Sequence, residues 1–157
     1  MIERRGQHRL CRLDLALELL EGADQVDALD IVMPVAGPVG KGAGAALKEA
    51  KAAGKDVKLI WVDSDGFLTA PDYKDIMLSS VMKLMGEAVE TVVKQDKDGE
   101  FNNTPYVGTL ANDGVQLAPF HDLDSQVPAE LKSELEQIKK DIADGKLKVE
   151  SAASPKA

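Results

Sequence analysis

The sequence predicts an α/β fold, a parallel sheet in a three-layer α/β/α arrangement, and three observations predict it. The run Ala28 to Ala36 reads as a buried strand apolar on both faces, which a parallel sheet covered by helices demands. It passes through the glycine-rich stretch Gly37 to Gly44 into the helical run Ala45 to Lys51, ended by Gly54. A second apolar run, Val57 to Val62, completes a β-α-β unit, and such units cross over right-handed in nearly all folds. With 157 residues, 44% of them hydrophobic, the chain has the size of a single domain.

The remaining elements follow in order. Before the first strand, Leu13 to Leu20 forms a short helical run that Gly22 is placed to stop. After the second strand, Asp63-Ser64-Asp65-Gly66 breaks the chain, and Asp75 to Ser79 is expected as a third strand. Ser79 or Ser80 is then placed to cap a helix in which Val81, Leu84, Met85, Ala88, Val89, Val92 and Val93 make one apolar face, long enough to cover a sheet. Asp96 to Asn103 is a polar turn. Tyr106 to Leu110 and Val115 to Ala118, around Asn112-Asp113-Gly114, carry a hairpin signal. Pro128 announces a last helix, Ala129 to about Ala143, with Leu131, Leu135, Ile138 and Ile142 as its stripe. Gly145 to Val149 is expected as a closing strand and 151–157 as a disordered tail.

Charge and composition narrow the function. Nineteen Lys and Arg against 27 Asp and Glu leave a net charge of −8, which works against phosphate backbones and anionic membranes, and aromatic residues are only 4%. Nucleic acid is therefore not an expected partner. No apolar run approaches the roughly 18 residues of a spanning helix. One cysteine, Cys11, and two distant histidines, His8 and His121, make neither a disulfide framework nor a Cys/His zinc cluster. No metal or cofactor is expected.

The start differs from the rest: all four arginines, Arg4, Arg5, Arg9 and Arg12, fall within residues 1–12. Arg12, Asp14 and Glu18 interrupt the apolar stretch that a secretory signal requires, and His8-Arg9-Leu10 before Cys11 does not suit a lipid-attachment cysteine. The expected organisation is an atypical start over 1–12, a lobe over 13–150 and a tail over 151–157.

Several residues sit where α/β sheets collect ligands. The glycine turn points backbone N–H groups outward, yet Ala43 and Gly44 stand where a P-loop needs Lys and Ser/Thr, and Ala45 stands where a dinucleotide fingerprint needs glycine. Close helix-to-sheet packing is the competing reading of these glycines. Asp63 and Asp65 follow the second strand, at the end where ligands bind. Their carboxylates could accept hydrogen bonds from a sugar diol, hold a divalent cation, or cap a solvated turn. Lys83, read as lying in the first turns of a helix, would reach toward the same edge as Asp65 or face solvent. His121 is expected as a surface residue paired with Asp122 or Asp124, and Trp61 as core.

Four segments together resemble a known family: Asp30 to Gly37, Trp61-Val62-Asp63-Ser64-Asp65-Gly66, Ser79-Ser80-Val81-Met82-Lys83, and Gly108 to Pro119. Their order and spacing are similar to those of the basic membrane protein (BMP) family, PnrA-like solute-binding lipoproteins of ABC transporters, from about Ala28 to Val149. The resemblance implies a two-lobed type I periplasmic-binding-protein fold of which this chain carries the C-terminal lobe, without the N-terminal one. It also implies a purine nucleoside held between the lobes, with Gly37, Asp65 and Lys83 as ligand-binding residues and Asp65 on the ribose hydroxyls. Pro38-Val39 and Gly66 depart from the residues common at those positions, which leaves the ribose contact standing and weakens the implied purine preference.

The function expected from the sequence is thus non-enzymatic. It is the solute-binding part of an ABC importer, truncated, with millimolar or no binding by this lobe alone. The implied partners are a nucleoside-like small molecule and a transporter permease. A homo-oligomer through the exposed lobe edge is a further expectation. The alternative is a free-standing α/β domain that homodimerises in a structural or regulatory role. Family members are membrane-anchored and extracytoplasmic; this chain, lacking a recognisable signal or lipobox, is expected to stay in the cytoplasm.

Overall fold

The computed structural model describes residues 30–149, so the expected helix at Leu13 to Leu20, the Arg-rich start and the tail lie outside the described residues. Four strands form one sheet in the order β1-β2-β3-β4: β1 (Ile31–Val32), β2 (Lys58–Asp63), β3 (Met77–Lys83) and β4 (Val115–Leu117). The first three run parallel and β4 is antiparallel to β3, so the sheet is mixed.

β1 is much shorter than the apolar run that contains it. Pro34 has no N–H to give to a ladder, and pairing ends at Val32. Val32 is buried while Ile31, Met33 and Val35 are exposed, which makes this a strand covered on one face instead of two. Helix α1 (Val39–Ala52) begins six residues earlier than the sequence suggests and takes in Gly40, Gly42 and Gly44. Two of these glycines are packing residues. A Cβ at Gly40 would lie 2.8 Å from the Trp61 ring and one at Gly44 2.9 Å from the Tyr73 ring.

The core lies between α1 and the sheet: Val32, Ala43, Leu47, Ala50, Val57, Leu59, Ile76 and Met77, with Trp61, Phe67 and Tyr73 packed against it. Trp61 and Tyr73 stack at 6.3 Å between centroids, so Trp61 is a core residue as expected. Two lysines clamp α1 to the chain leading into β3. Lys48 Nζ donates to the Asp72 carbonyl at 2.7 Å, and Lys51 Nζ donates to the Asp75 carbonyl at 2.6 Å and its carboxylate at 3.0 Å. The Lys51 hydrogen bond holds the Asp75 carboxyl below its ordinary value.

Between β2 and β3 lie a single helical turn, α2 (Gly66–Thr69), and a 3-10 segment (Pro71–Ile76). The third strand therefore starts at Met77 and absorbs both serines expected to cap a helix. Ser79 and Ser80 are buried, and their hydroxyls bond to the Ala118 carbonyl at 2.8 Å and to the Gly66 N–H at 2.9 Å. Because buried hydroxyls with partners are tolerated in a strand, these residues do not have to cap anything. The following helix, α3 (Met85–Lys97), starts later and leaves Val81 in β3.

No residue of α3 is buried, so the stripe Met85, Val89, Val92 and Val93 that was expected to cover the sheet is open. The expected hairpin is also different. Residues 106–110 form no strand, and β4 pairs instead with β3, while Asn112 closes a turn by accepting from the Thr109 and Gly114 N–H groups. A second 3-10 segment (His121–Gln126) leads to α4 (Ala129–Ala143), as the sequence predicts, but 145–149 are not a strand.

Candidate functional site

Asp63, Asp65 and Lys83 all stem from the C-terminal ends of the parallel neighbours β2 and β3, the end at which such sheets bind ligands. They divide into two groups. Asp63, the last residue of β2, adopts a left-handed backbone with φ 73°, a conformation that aspartate tolerates better than most residues. Its Oδ1 forms an ion pair with Lys83 Nζ at 2.6 Å. Lys83 is the last residue of β3 and not part of a helix, and it pairs with Asp63 instead of Asp65. Both side chains of this pair are more than half exposed, and they border a shallow cleft of about 290 Å³ that Ser64, Met82, Leu84 and Met85 also line.

Asp65 turns inward. It is the N-cap of α2, where its Oδ1 accepts from the Phe67 N–H at 3.0 Å, satisfying one of the donors a helix start leaves free. Its Oδ2 lies 2.9 Å from His121 Nε2. A carboxylate only accepts, so Nε2 carries the proton in this pair. The Asp65 side chain is only 14% exposed, and the two contacts fix the plane of its carboxylate.

His121 is therefore not paired with Asp122 or Asp124, the partners expected from the sequence. Its backbone is left-handed at φ 44°, and its ring stacks on Phe67 with centroids 4.1 Å apart and planes 11° apart. Lys74 Nζ also lies against the Phe67 ring, 4.4 Å from its centroid. The Asp65–His121 contact spans 56 residues of sequence. The signal that could have found it is a polar His in a short apolar-flanked loop, Ala118-Pro119-Phe120-His121, returning beside β3.

Gly37 follows β1 and precedes α1, with φ 52° and nothing within 4 Å of where a Cβ would sit. Its glycine answers to backbone conformation and not to crowding. Among the described residues no group of three His, Cys, Asp or Glu side chains is arranged to hold a metal ion. Nor is any helix there long and apolar enough to cross a membrane.

The sequence is 33% identical over 132 residues to the ABC transporter nucleoside-binding protein BmpA of Lactococcus lactis subsp. cremoris (strain MG1363), a match covering 78% of this chain and 36% of that protein. The chain is thus similar to part of an ABC transporter nucleoside-binding protein. No family model matches it. Among solved structures, the chain superposes on an ABC transporter solute-binding protein from Aeropyrum pernix K1 with a TM-score of 0.70 at 19% identity, over 90% of this chain and 44% of that one. A solute-binding protein from Conexibacter woesei DSM 14684 gives 0.60 at 21% identity over 88% and 43%. A structure described as a transcriptional activator of the comK gene from Bacillus halodurans gives 0.67 at 18% over 85% and 43%.

The chain thus spans about a third of the curated relative's length and under half of each solved structure. Its sheet and flanking helices are those of a single solute-binding-protein lobe. At these low identities the structural neighbours speak for fold, and a fold hosts many functions.

Proposed function

We propose that this chain is the second lobe of an ABC-importer solute-binding protein that holds a purine nucleoside between two lobes. The observation that carries the reading is Asp65, a carboxylate held in one plane at the ligand-binding end of the sheet. Each of its oxygens keeps a further acceptor site, and two adjacent acceptors match the two hydroxyls of a ribose. Lys83 and Gly37 complete this lobe's share of the ligand contacts. Support for the nucleoside comes from the relative described as nucleoside-binding.

A solute-binding protein closes two lobes over its ligand, so one lobe offers only part of the contacts and none of the closure. Millimolar affinity at best follows for this lobe alone. The full protein's partner is a transporter permease, and its site of action is outside the cytoplasm. The open apolar stripe on α3 favours a second role for the same chain, self-association, since exposed apolar patches mark interaction surfaces.

Thermal melting with 10 mM adenosine or inosine tests the reading. Ligand binding at a millimolar Kd adds about 1.4 kcal/mol at tenfold excess, a rise of about 3–6 °C for a chain of this size. Asp65→Ala removes the rise. No rise with either nucleoside overturns autonomous nucleoside binding.

A further inference from the structure

We infer that His121 is a positioning residue for Asp65: it holds the carboxylate in the orientation that presents two acceptors to a vicinal diol. This rests on the reading of Asp65 as the diol acceptor given above. Asp65 Oδ1 is held from its own element by the Phe67 N–H, but that single contact leaves the side chain able to exchange rotamers about its Cα–Cβ bond, which carries the carboxylate out of place. The second tether, to Oδ2, comes from His121, 56 residues further along the chain.

His121 is itself constrained at three points. Its backbone is in the left-handed region, sparsely occupied by non-glycine residues. Its ring lies nearly parallel to Phe67, whose own N–H bonds the other Asp65 oxygen. Three residues before it, Ala118 is hydrogen-bonded to both Ser79 and Ser80 of β3. A strained backbone held by a stack and a strand contact describes a side chain whose direction is fixed before any ligand arrives. Lowering the reorganisation needed on binding is how such fixation raises affinity.

The charged and titratable neighbours of this pair are Lys74, against the shared Phe67 ring, and Asp122 and Asp124 on the histidine's own segment. Asp124 is engaged by Lys132 at 2.7 Å, which leaves His121 to Asp65.

Two substitutions separate the hydrogen bond from the stack. His121→Phe keeps an aromatic ring on Phe67 and deletes the donor. His121→Gln restores an N–H donor at similar reach without the ring. The readout is the χ1 rotamer of Asp65 from three-bond couplings, measured on the unliganded full chain. Parent and His121→Gln are expected to show one rotamer and His121→Phe an average of several. A single parent-like rotamer in His121→Phe overturns the proposal. If His121→Phe does not fold, averaging in His121→Gln overturns it and a single rotamer supports it.

The ligand arm follows occupancy at 1 mM adenosine and 1 mM 2′-deoxyadenosine. In His121→Phe, adenosine affinity is expected to fall about tenfold, one hydrogen bond's worth of orientation, with little change for the deoxynucleoside. Equal losses for both nucleosides overturn the diol-specific role. If the parent binds neither nucleoside, the proposed function fails by itself, and the Asp65 rotamer still decides whether His121 positions the carboxylate.

Discussion

Adding one methyl group at Gly66 should measurably destabilise the fold. A Cβ there would lie 2.5 Å from Trp61 Cγ, 2.6 Å from Trp61 Cβ and 2.8 Å from Met77 Cε. Carbon atoms rest at about 3.5–4.0 Å, so the shortfall against the indole is about 1 Å. Met77 can move its terminal methyl, but Trp61 has nowhere to retreat. Its ring edge already abuts Gly40 and its face stacks on Tyr73. Overpacking of this kind costs about 1–3 kcal/mol. The gain from replacing glycine in a helix, at most about 1 kcal/mol, offsets part of it, because Gly66 is only the first residue of a four-residue turn. The expected net loss is about 1–2 kcal/mol, or about 2–8 °C in Tm. Trp61 is the only tryptophan in the chain, so its fluorescence during urea unfolding reports directly from the strained contact. Gly86→Ala is the control, since nothing lies within 4 Å of the added carbon, and it should be neutral or slightly stabilising. A Gly66→Ala variant unfolding at or above the parent's urea midpoint would refute the packing argument.

Ser80→Ala removes the acceptor of the buried Gly66 N–H and should cost about 1–3 kcal/mol by urea titration; a change under about 0.5 kcal/mol would mean the N–H finds another partner. Asp75, with its carboxyl held below the ordinary value chiefly by the Lys51 hydrogen bond, contributes stability that is full above the unfolded carboxylate pKa of about 3.9 and lost as pH falls through the folded value. Because both side chains are about half exposed, that contribution should stay under about 1 kcal/mol, and Asp75→Asn should flatten the fall in urea midpoint between pH 6 and pH 3; an unchanged slope would count against the clamp. Val89→Glu with Val93→Glu places charges on the open stripe of α3 and should convert a self-associating parent into a monomer in sedimentation runs, an idea that a parent already monomeric at 100 μM would sink.

The parts of the fold legible in the sequence are those with a local cause. Strand β2, the β-α-β unit and α4 follow from apolar runs, glycine stops and Pro128, all signals contained within about 15 residues. The errors share a different cause. Ser79 and Ser80 look like helix caps because their partners, Ala118 and Gly66, lie 39 and 14 residues away and convert them into strand interior. Lys83 moves with them from a helix to a strand end. Likewise Tyr106 to Leu110 looks like half of a hairpin until β4 finds β3 as its mate. For the candidate site, Asp63, Asp65 and Gly37 are legible from their positions after strands, and Gly37 and Asp65 also from the family resemblance. The division into an outward Asp63–Lys83 pair and an inward Asp65–His121 pair is not, because two carboxylates two residues apart diverge only if the backbone turns between them. Here Asp63 turns it, with its positive φ.

Ser79 and Ser80 have a mechanical consequence. Adjacent residues of a strand project to opposite sides of the sheet, so one dipeptide grips the chain on both sides. The loop before His121 hangs from it through Ala118, and the residue after Asp65 hangs from it through Gly66. The two halves of the Asp65–His121 contact are thus surveyed from the same reference point. When β3 drifts, bends or breathes, both partners are carried along together, and the 2.9 Å separation between them is insulated from that common-mode motion. Only a displacement that acts differently on the two sides of the dipeptide can open the contact.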